Sequence, residues 1–272
     1  MFNDLNKATR GLLLTTCATL NDARISYVIA GGWIPVLRGG AQELQHPGTR
    51  DVDVLLSDNQ PVDICSAAEA LLRVGFFASA KHEFQLLRPI DVGARTFVFN
   101  VDLMHQGEVR QPTDMFSDMF DLGIPDSYDP TGKRWVKSIA FGSSAIIFEQ
   151  DLWSKVRVEG LDADGISTSV AVPLMDEVAF VLSKVDSVRS PKRTRDAFDL
   201  LYVVSGPNAP FIEARMTELC RFPAVASRVR DLNEWISTHR DGFDANVALY
   251  ARVDEPSRPV TDFLSRVLHR IE

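Results

Sequence analysis

Two short apolar stretches that carry aspartates constrain the fold of this chain more than any other feature. The stretch TRDVDVLL places Asp51 and Asp53 two residues apart among valines and leucines, and the later stretch NVDLM places Asp102 in a similar setting. Side chains two apart on a β-strand point to the same face, so Asp51 and Asp53 project together while Val52 faces the other way. If the two strands are neighbours, all three carboxylates meet on one patch of the sheet.

A patch of carboxylates of this kind predicts a metal site. Burying an aspartate in an apolar strand is costly unless it is paired or bound to a cation. Hard oxygen ligands suit Mg²⁺ or Mn²⁺, and two such ions can clamp an in-line phosphoryl displacement. We therefore predict that Asp51, Asp53 and Asp102 are catalytic residues that hold Mg²⁺ (or Mn²⁺).

A glycine pair precedes the first aspartate strand and suggests a place for phosphate. The apolar run ISYVIA ends at Gly31 and Gly32, and the helix-like segment WIPVLR follows at once. Glycine lets the backbone approach a phosphate closely, and the N-terminus of a helix offers free N–H groups and a positive dipole end. We predict that Gly31 and Gly32 receive the phosphates of a nucleotide. Arg38, at the end of that helix, either reaches phosphate as well or is a solvated cation.

The order of these motifs resembles the nucleotidyltransferase superfamily with a DNA polymerase β-like palm. Within that superfamily the chain is similar to AbiEii-type abortive-infection toxins and to the mycobacterial nucleotidyltransferase toxins. The segment VPLMDEVAFVLSKVDSVRSPKRTRDAFDLLYVV carries that closer similarity, because the family follows its palm with a lysine, an arginine and then an RDxxD segment. The matching residues are Lys184, Arg189, Arg195, Asp196 and Asp199. The resemblance extends over residues 25–204.

The resemblance implies a metal-dependent nucleotidyltransferase that moves a nucleoside monophosphate from an NTP to an acceptor and releases pyrophosphate. It implies that Asp102 helps to activate the acceptor hydroxyl, that Lys184 and Arg189 neutralise phosphate charge, and that Asp196 belongs to the catalytic site. It also implies tRNA as the acceptor, through its 3′ end. The chain would then be the toxin of a toxin–antitoxin or abortive-infection system, with an antitoxin protein as its partner.

Two other functions stay open from the sequence. An aminoglycoside-type nucleotidyltransferase uses the same palm to adenylylate a small hydroxylated molecule, and an acidic protein slightly favours a cationic acceptor. A degenerate palm that acts as a binding module is the non-enzymatic alternative, although the presence of all three carboxylates argues against it. Two of the proposed site residues also have structural alternatives. Lys184 would then be a solvated helix lysine, and Asp196 would be a helix cap or a salt-bridge partner.

The composition limits the class of protein. A hydrophobic share of 45% and a charged share of 24% are ordinary for a globular chain, and a net charge of −8 does not indicate a general nucleic-acid binder. The cysteines have neither disulfide nor metal-ligand spacing. No run approaches the length of a membrane span, and the apolar part of the N-terminal segment is too short for an export signal. We therefore expect a cytoplasmic protein with no membrane partner.

The order of predicted elements indicates an α+β fold. We expect a palm-like domain at residues 1–164, with a mixed sheet and helices. A helical domain at residues 165–272 would contribute the nucleotide-site lysine. Strands are predicted at residues 25–30, at the two aspartate stretches and at residues 84–87, and a hairpin at residues 135–148. Helices are predicted at residues 4–23, 61–74 and 195–204, and a further helix from Pro173. Residues 107–133 are rich in turn formers and are expected to be irregular.

Overall fold

The chain folds as a mixed α+β protein with a mixed open sheet and a set of C-terminal helices. The structure is a computed structural model that describes residues 2–57, 61–107, 112–125, 127 and 134–270. Two compact units are present: unit 1 comprises Met1–Trp33 and Gly48–Met175, and unit 2 comprises Ile34–Pro47 and Asp176–Glu272. The first part of this division carries the sheet and the second carries helices.

Unit 1 is built on a sheet whose strands run in both directions. The strands are β1 (Tyr27–Ala30), β2 (Asp51–Leu56), β3 (Phe77–Ala78), β4 (Gln85–Val92), β5 (Arg95–Gln106), β6 (Phe116–Asp121), β7 (Trp135–Phe141), β8 (Trp153–Leu161) and β9 (Ser167–Met175). Their order is β3-β4-β5-β2-β1-β9-β8, with β7 beside β5 and β6 beside β7. The pairs β2–β5, β1–β9 and β5–β7 are parallel, and the remaining pairs are antiparallel.

Helices pack on this sheet and close its apolar core. The helices that lie in or begin in unit 1 are α1 (Leu5–Asp22), α2 (Trp33–Arg38), α3 (Pro61–Arg73) and α4 (Ser144–Glu149). Helix α1 begins where the Asp4 side chain accepts a hydrogen bond from the Lys7 backbone N–H at 2.8 Å, which satisfies one of the unpaired donors of the first turn. It packs against β8, β9 and α3, and its fully buried leucines are Leu12, Leu13, Leu14 and Leu20.

Unit 2 is a helical layer closed by large apolar side chains. Its helices among the described residues, besides most of α2, are α5 (Glu177–Ser187), α6 (Arg195–Val204), α7 (Ala209–Leu219), α8 (Pro223–Thr238), α9 (Arg240–Ala248) and α10 (Ser257–His269). Helix α10 packs on α6, α7 and α8, and α5 packs on α6 and α8. The segment after α2 joins this unit because the Ala41 N–H donates to the Tyr202 carbonyl oxygen at 2.8 Å. A Cβ on Gly206 would lie 2.8 Å from the Gly40 Cα, and a Cβ on Gly40 would clash with Tyr202.

Two of the predicted elements are wrong. The second half of the hairpin at residues 135–148 is the helix α4, not a strand. Strand β7 already has β6 along one edge and β5 along the other, so no edge is left for a hairpin partner. The helix predicted from Pro173 begins later, because Pro173 lies in β9 opposite Lys155. The start of α5 is set instead by Asp176, whose side chain accepts from the Ala179 N–H at 2.8 Å.

Three further features differ from the sequence-based expectation. Residues 153–161 form the strand β8, for which no element was predicted. Within residues 107–133, the described part includes a short 3₁₀ helix, Pro112–Met115, and the strand β6, so it is less irregular than expected; residues 108–111, 126 and 128–133 lie outside the described residues. The change from sheet to helices comes after Met175 rather than at residue 164, because β9 pairs with both β8 and β1.

Candidate functional site

The two aspartate strands are immediate neighbours in the sheet. Strands β2 and β5 run parallel, and the register sets Asp53 opposite Asp102. Neighbouring strands lie about 4.8 Å apart, so these two carboxyl groups leave the sheet side by side. Along both strands the valines and leucines that alternate with the aspartates are buried, whereas Asp51, Asp53 and Asp102 are only partly buried. The three carboxylates therefore share one face of the sheet, pointing away from its core.

Neutral side chains orient the two outer carboxylates. The Thr49 hydroxyl donates to Asp51 Oδ1 at 2.7 Å, and the Asn100 amide Nδ2 donates to Asp102 Oδ1 at 2.7 Å. The Trp33 indole N–H donates to the Asp51 backbone oxygen at 2.9 Å, and this tryptophan is almost fully buried. Trp33 is therefore a core residue that fixes the start of β2.

Gly31 lies directly beneath the carboxylate of Asp53. The antiparallel pairing of β1 and β2 sets Ala30 opposite Asp53, so the turn after β1 passes next to this side chain. Gly31 has a φ of +68°, and a Cβ added there would overlap Asp53 Oδ2 and lie 2.8 Å from its Cγ. The glycine is thus required both by a left-handed backbone and by close approach of the carboxylate. Gly32, the next residue, is buried before α2.

The donor set suits a hard divalent cation. Carboxylate oxygens on one face, next to a backbone turn, are the ligands that Mg²⁺ and Mn²⁺ prefer. In the described part of the chain, however, no group of three or more histidine, cysteine, aspartate or glutamate side chains already has the spacing of a metal site. The suitability of this face for a divalent cation therefore depends mainly on Asp53 and Asp102, which are close neighbours. Asp51 lies on the same face, two residues before Asp53 on β2.

Lys184 and Asp196 form a buried ion pair within unit 2. The Lys184 ammonium lies 2.5 Å from Asp196 Oδ1 and above the Phe180 ring. The lysine is only 5% exposed, so it is not the solvated helix lysine of the structural alternative. Burial alone would raise the pKa of Asp196, but the neighbouring Lys184 charge and hydrogen bond outweigh it, and the pKa is lowered. The stabilisation from this pair is therefore present near neutral pH and is lost as the pH falls through the folded-state pKa of Asp196.

Replacing Lys184 with methionine is expected to destabilise the protein strongly. The change keeps most of the side-chain volume but leaves the Asp196 carboxylate buried without its cation, which costs about 3–5 kcal/mol. Urea unfolding followed by circular dichroism measures the difference in the free energy of unfolding. The double variant Lys184→Met/Asp196→Leu should recover most of the loss, because no uncompensated charge remains. A single variant as stable as the wild type would contradict this role for the pair.

The other cations proposed from the sequence also lie in unit 2. The Arg38 Nε lies 3.7 Å from Glu177 Oε2, and the exposed Arg189 donates to the Asp231 backbone oxygen at 3.3 Å. The Arg195 Nε lies 3.4 Å from Asp199 Oδ2, so these matched residues form an ion pair within α6. Asp199 is fully buried, and its Oδ1 lies 3.1 Å from the His46 Nε2. The nucleotide-binding roles of Arg38, Lys184 and Arg189 stay predictions, as does the catalytic role of Asp196.

Sequence reasoning found the carboxylates and missed the side chains that orient two of them. Neither Thr49 nor Asn100 is among the site residues predicted from the sequence. Both stand two positions before an aspartate, in the patterns T-x-D and N-x-D. A period of two places such residues on the face of the aspartate they precede, and that spacing was the available signal.

No protein-family model matches the chain, and no curated protein is found to be similar to it. Among the described residues, no helix is both long enough and apolar enough to cross a membrane. The function proposed for this chain therefore rests on the arrangement of the side chains in unit 1.

Proposed function

We propose that this chain is a metal-dependent nucleotidyltransferase, and that the sheet of unit 1 is a nucleotidyltransferase palm. The reaction transfers a nucleoside monophosphate from an NTP to a hydroxyl acceptor. The acceptor oxygen forms a bond to the α-phosphorus, the bond from that phosphorus to the pyrophosphate oxygen breaks, and the hydroxyl proton is lost. NTP and a Mg²⁺ or Mn²⁺ cofactor are therefore expected ligands.

One observation carries the proposal: Asp53 and Asp102 stand in register on adjacent parallel strands, with Asp51 on the same face. Two neighbouring carboxylates on one sheet face repel each other, and so their placement favours a cation-binding role over a purely structural one. The turn at Gly31 supports the proposal, since it brings backbone next to Asp53 where a phosphate group would approach.

The three carboxylates divide two tasks in this proposal. All three would hold the metal, and Asp102 would also accept the proton of the acceptor hydroxyl. A divalent cation held by these residues would supply positive charge to the triphosphate and to the leaving pyrophosphate. Gly31 and Gly32 are proposed to receive the phosphates through their backbone N–H groups, since the Asp53 carboxylate already fills the space of a side chain at Gly31. The role of Lys184 in neutralising phosphate charge stays a prediction, and within unit 2 its ammonium is buried and paired with Asp196.

RNA is the acceptor class that we propose, specifically the 3′ end of tRNA, with toxin activity restrained by an antitoxin protein. The support on the surface of unit 2 is a short basic run: Lys192 and Arg193 are exposed, and the exposed Arg189 precedes them. Clustered cations on an acidic protein are suited to hold a phosphate backbone locally. The small-molecule acceptor of an aminoglycoside-type enzyme is the competing outcome.

Labelled NTPs test the proposal directly. The full-length protein is incubated with each α-³²P-labelled NTP, Mg²⁺ or Mn²⁺, and either total tRNA or a panel of aminoglycosides. We expect label on tRNA that is lost after removal of the 3′-terminal nucleotides, and we expect none when EDTA is added. Label on the small molecules only would replace the acceptor while keeping the enzyme class. No label on any acceptor, with no pyrophosphate released, would refute the nucleotidyltransferase and favour a binding module.

A further inference from the structure

We infer that Asn100 is a positioning residue that fixes the orientation of the Asp102 carboxylate for metal binding. This inference rests on the proposed function and adds to it a residue that does not itself touch the reacting atoms. Asn100 stands two residues before Asp102 on β5, so both side chains leave the same face of the strand. Its amide Nδ2 donates to Asp102 Oδ1 at 2.7 Å, which is a short charge-assisted contact.

The register places Asn100 inside the carboxylate patch rather than at its margin. Asn100 stands opposite Asp51 on β2, just as Asp102 stands opposite Asp53. The four positions form a two-by-two array of polar side chains on one sheet face, with three carboxylates and one amide. Asn100 is thus the neutral corner of an otherwise anionic array.

An uncharged donor suits this corner for an electrostatic reason. A fourth carboxylate opposite Asp51 would add like-charge repulsion, and a lysine or arginine would neutralise Asp102 and compete with the cation. The amide of asparagine donates a hydrogen bond and carries no net charge. It can therefore hold Asp102 in one rotamer without reducing the negative charge that attracts the metal. Such outer contacts orient the ligands of metal sites.

The hydrogen bond to Asp51 shows that a hydroxyl can orient a carboxylate of this patch as the Asn100 amide does. Thr49 Oγ1 donates to Asp51 Oδ1 at 2.7 Å across the same spacing of two residues. Each outer carboxylate thus accepts a hydrogen bond from a neutral side chain two positions earlier. This parallel suggests how to separate the donated hydrogen bond from mere packing at position 100.

The test compares Asn100→Val with Asn100→Thr, which have nearly the same shape and both suit a strand. Valine cannot donate, whereas threonine keeps a donor in the manner of Thr49. Binding of Mn²⁺ alone to the full-length protein is followed by the electron paramagnetic resonance signal of free Mn²⁺, so no turnover is needed. We expect Asn100→Val to raise the dissociation constant for Mn²⁺ by about 10- to 100-fold, the usual effect of losing such an outer contact. Asn100→Thr should stay near the wild-type value.

A control variant on the same strand removes the same kind of bond outside the patch. Thr96 Oγ1 donates to Asp91 Oδ1 at 2.6 Å, and Thr96 shares the face of β5 with Asn100. Thr96→Val should leave Mn²⁺ binding unchanged. In the transferase assay, raising Mn²⁺ should bring the rate of Asn100→Val back towards that of the wild type, which loss of folded protein would not allow.

The outcomes separate this inference from the function on which it rests. If wild-type protein binds Mn²⁺ and Asn100→Val binds it equally well, the role of Asn100 is refuted while the metal site stands. If the valine and threonine variants lose affinity alike, the donated hydrogen bond is not the cause and the positioning role is again refuted. If wild-type protein neither binds Mn²⁺ nor transfers nucleotide, the proposed function fails and this inference fails with it.

Discussion

Replacing Asp53 with asparagine is expected to lower the rate of nucleotide transfer by about 10³-fold or more. Asp53 stands at the centre of the carboxylate patch, between Gly31 and Asp102. A metal ion supplies several kcal/mol of transition-state stabilisation, and every 1.36 kcal/mol corresponds to tenfold in rate. The side chain keeps its shape but loses the charge that holds the cation. Initial rates with labelled NTP at saturating Mg²⁺ measure the effect.

The same substitution should not destabilise the metal-free protein. Asp53 and Asp102 are like charges on adjacent strands, so neutralising one of them relieves repulsion. The free energy of unfolding in EDTA should stay equal or rise slightly. Asp91→Asn is the matched control, because Asp91 is an exposed aspartate of the same sheet that accepts a hydrogen bond from Thr96. Transfer at the wild-type rate by Asp53→Asn would refute the assignment of the site.

Replacing Gly31 with alanine is expected to abolish transfer although every carboxylate is still present. The new Cβ would overlap Asp53 Oδ2, so the Asp53 carboxylate must rotate away from its place beside Asp102. The left-handed backbone at a φ of +68° adds a cost of about 1–2 kcal/mol in the free energy of unfolding. Mn²⁺ binding and transfer should both be lost, and thermal unfolding should show a modest decrease in stability.

Gly93 provides a matched control for the backbone part of this effect. It has a similar φ of +59°, it belongs to unit 1, and a Cβ added there would meet nothing within 4 Å. Gly93→Ala should therefore lose a similar amount of stability while binding Mn²⁺ and transferring nucleotide normally. If Gly31→Ala remained as active as Gly93→Ala, close packing of Asp53 on the turn would have no part in the function.

Gly31→Ala also tests which of two reasons requires a glycine at this turn. Sequence reasoning assigned Gly31 to the approach of a phosphate. The structure gives a second reason for glycine at the same position, since the Asp53 carboxylate occupies the space of a side chain. The effect of Gly31→Ala on Mn²⁺ binding in the absence of nucleotide distinguishes the two, because only the packing on Asp53 acts when no phosphate is present.

Local patterns in the sequence determined several elements correctly. The helices at residues 5–22, 61–73 and 195–204 follow from apolar periodicity and end signals such as Asp4, Pro61 and Gly75. The alternation in DVDVLL was enough to place Asp51 and Asp53 on one face of a strand. These features depend on residues a few positions apart, where backbone geometry and hydrogen bonding act directly.

Whether a short apolar segment forms a helix or a strand was decided instead by the elements that surround it in the fold. The run AIIF is compatible with a strand or with a buried helix turn, and periodicity cannot separate the two over so few residues. It is helical in α4 because both edges of β7 are already paired. Pro173 likewise reads as a helix start, but pairing with β8 extends β9 past it, and Asp176 provides the cap that begins α5.

The sequence by itself determined which residues carry charge on one face of each strand, and only the tertiary structure decided how those strands align. A shift of one residue between β2 and β5 would set Asp53 opposite Val101 or Leu103 and break up the patch. Nothing within either stretch specifies that alignment, because register follows from the packing of the whole sheet. Long-range contacts likewise decided that Asn100 holds Asp102 and that Lys184 is buried against Asp196.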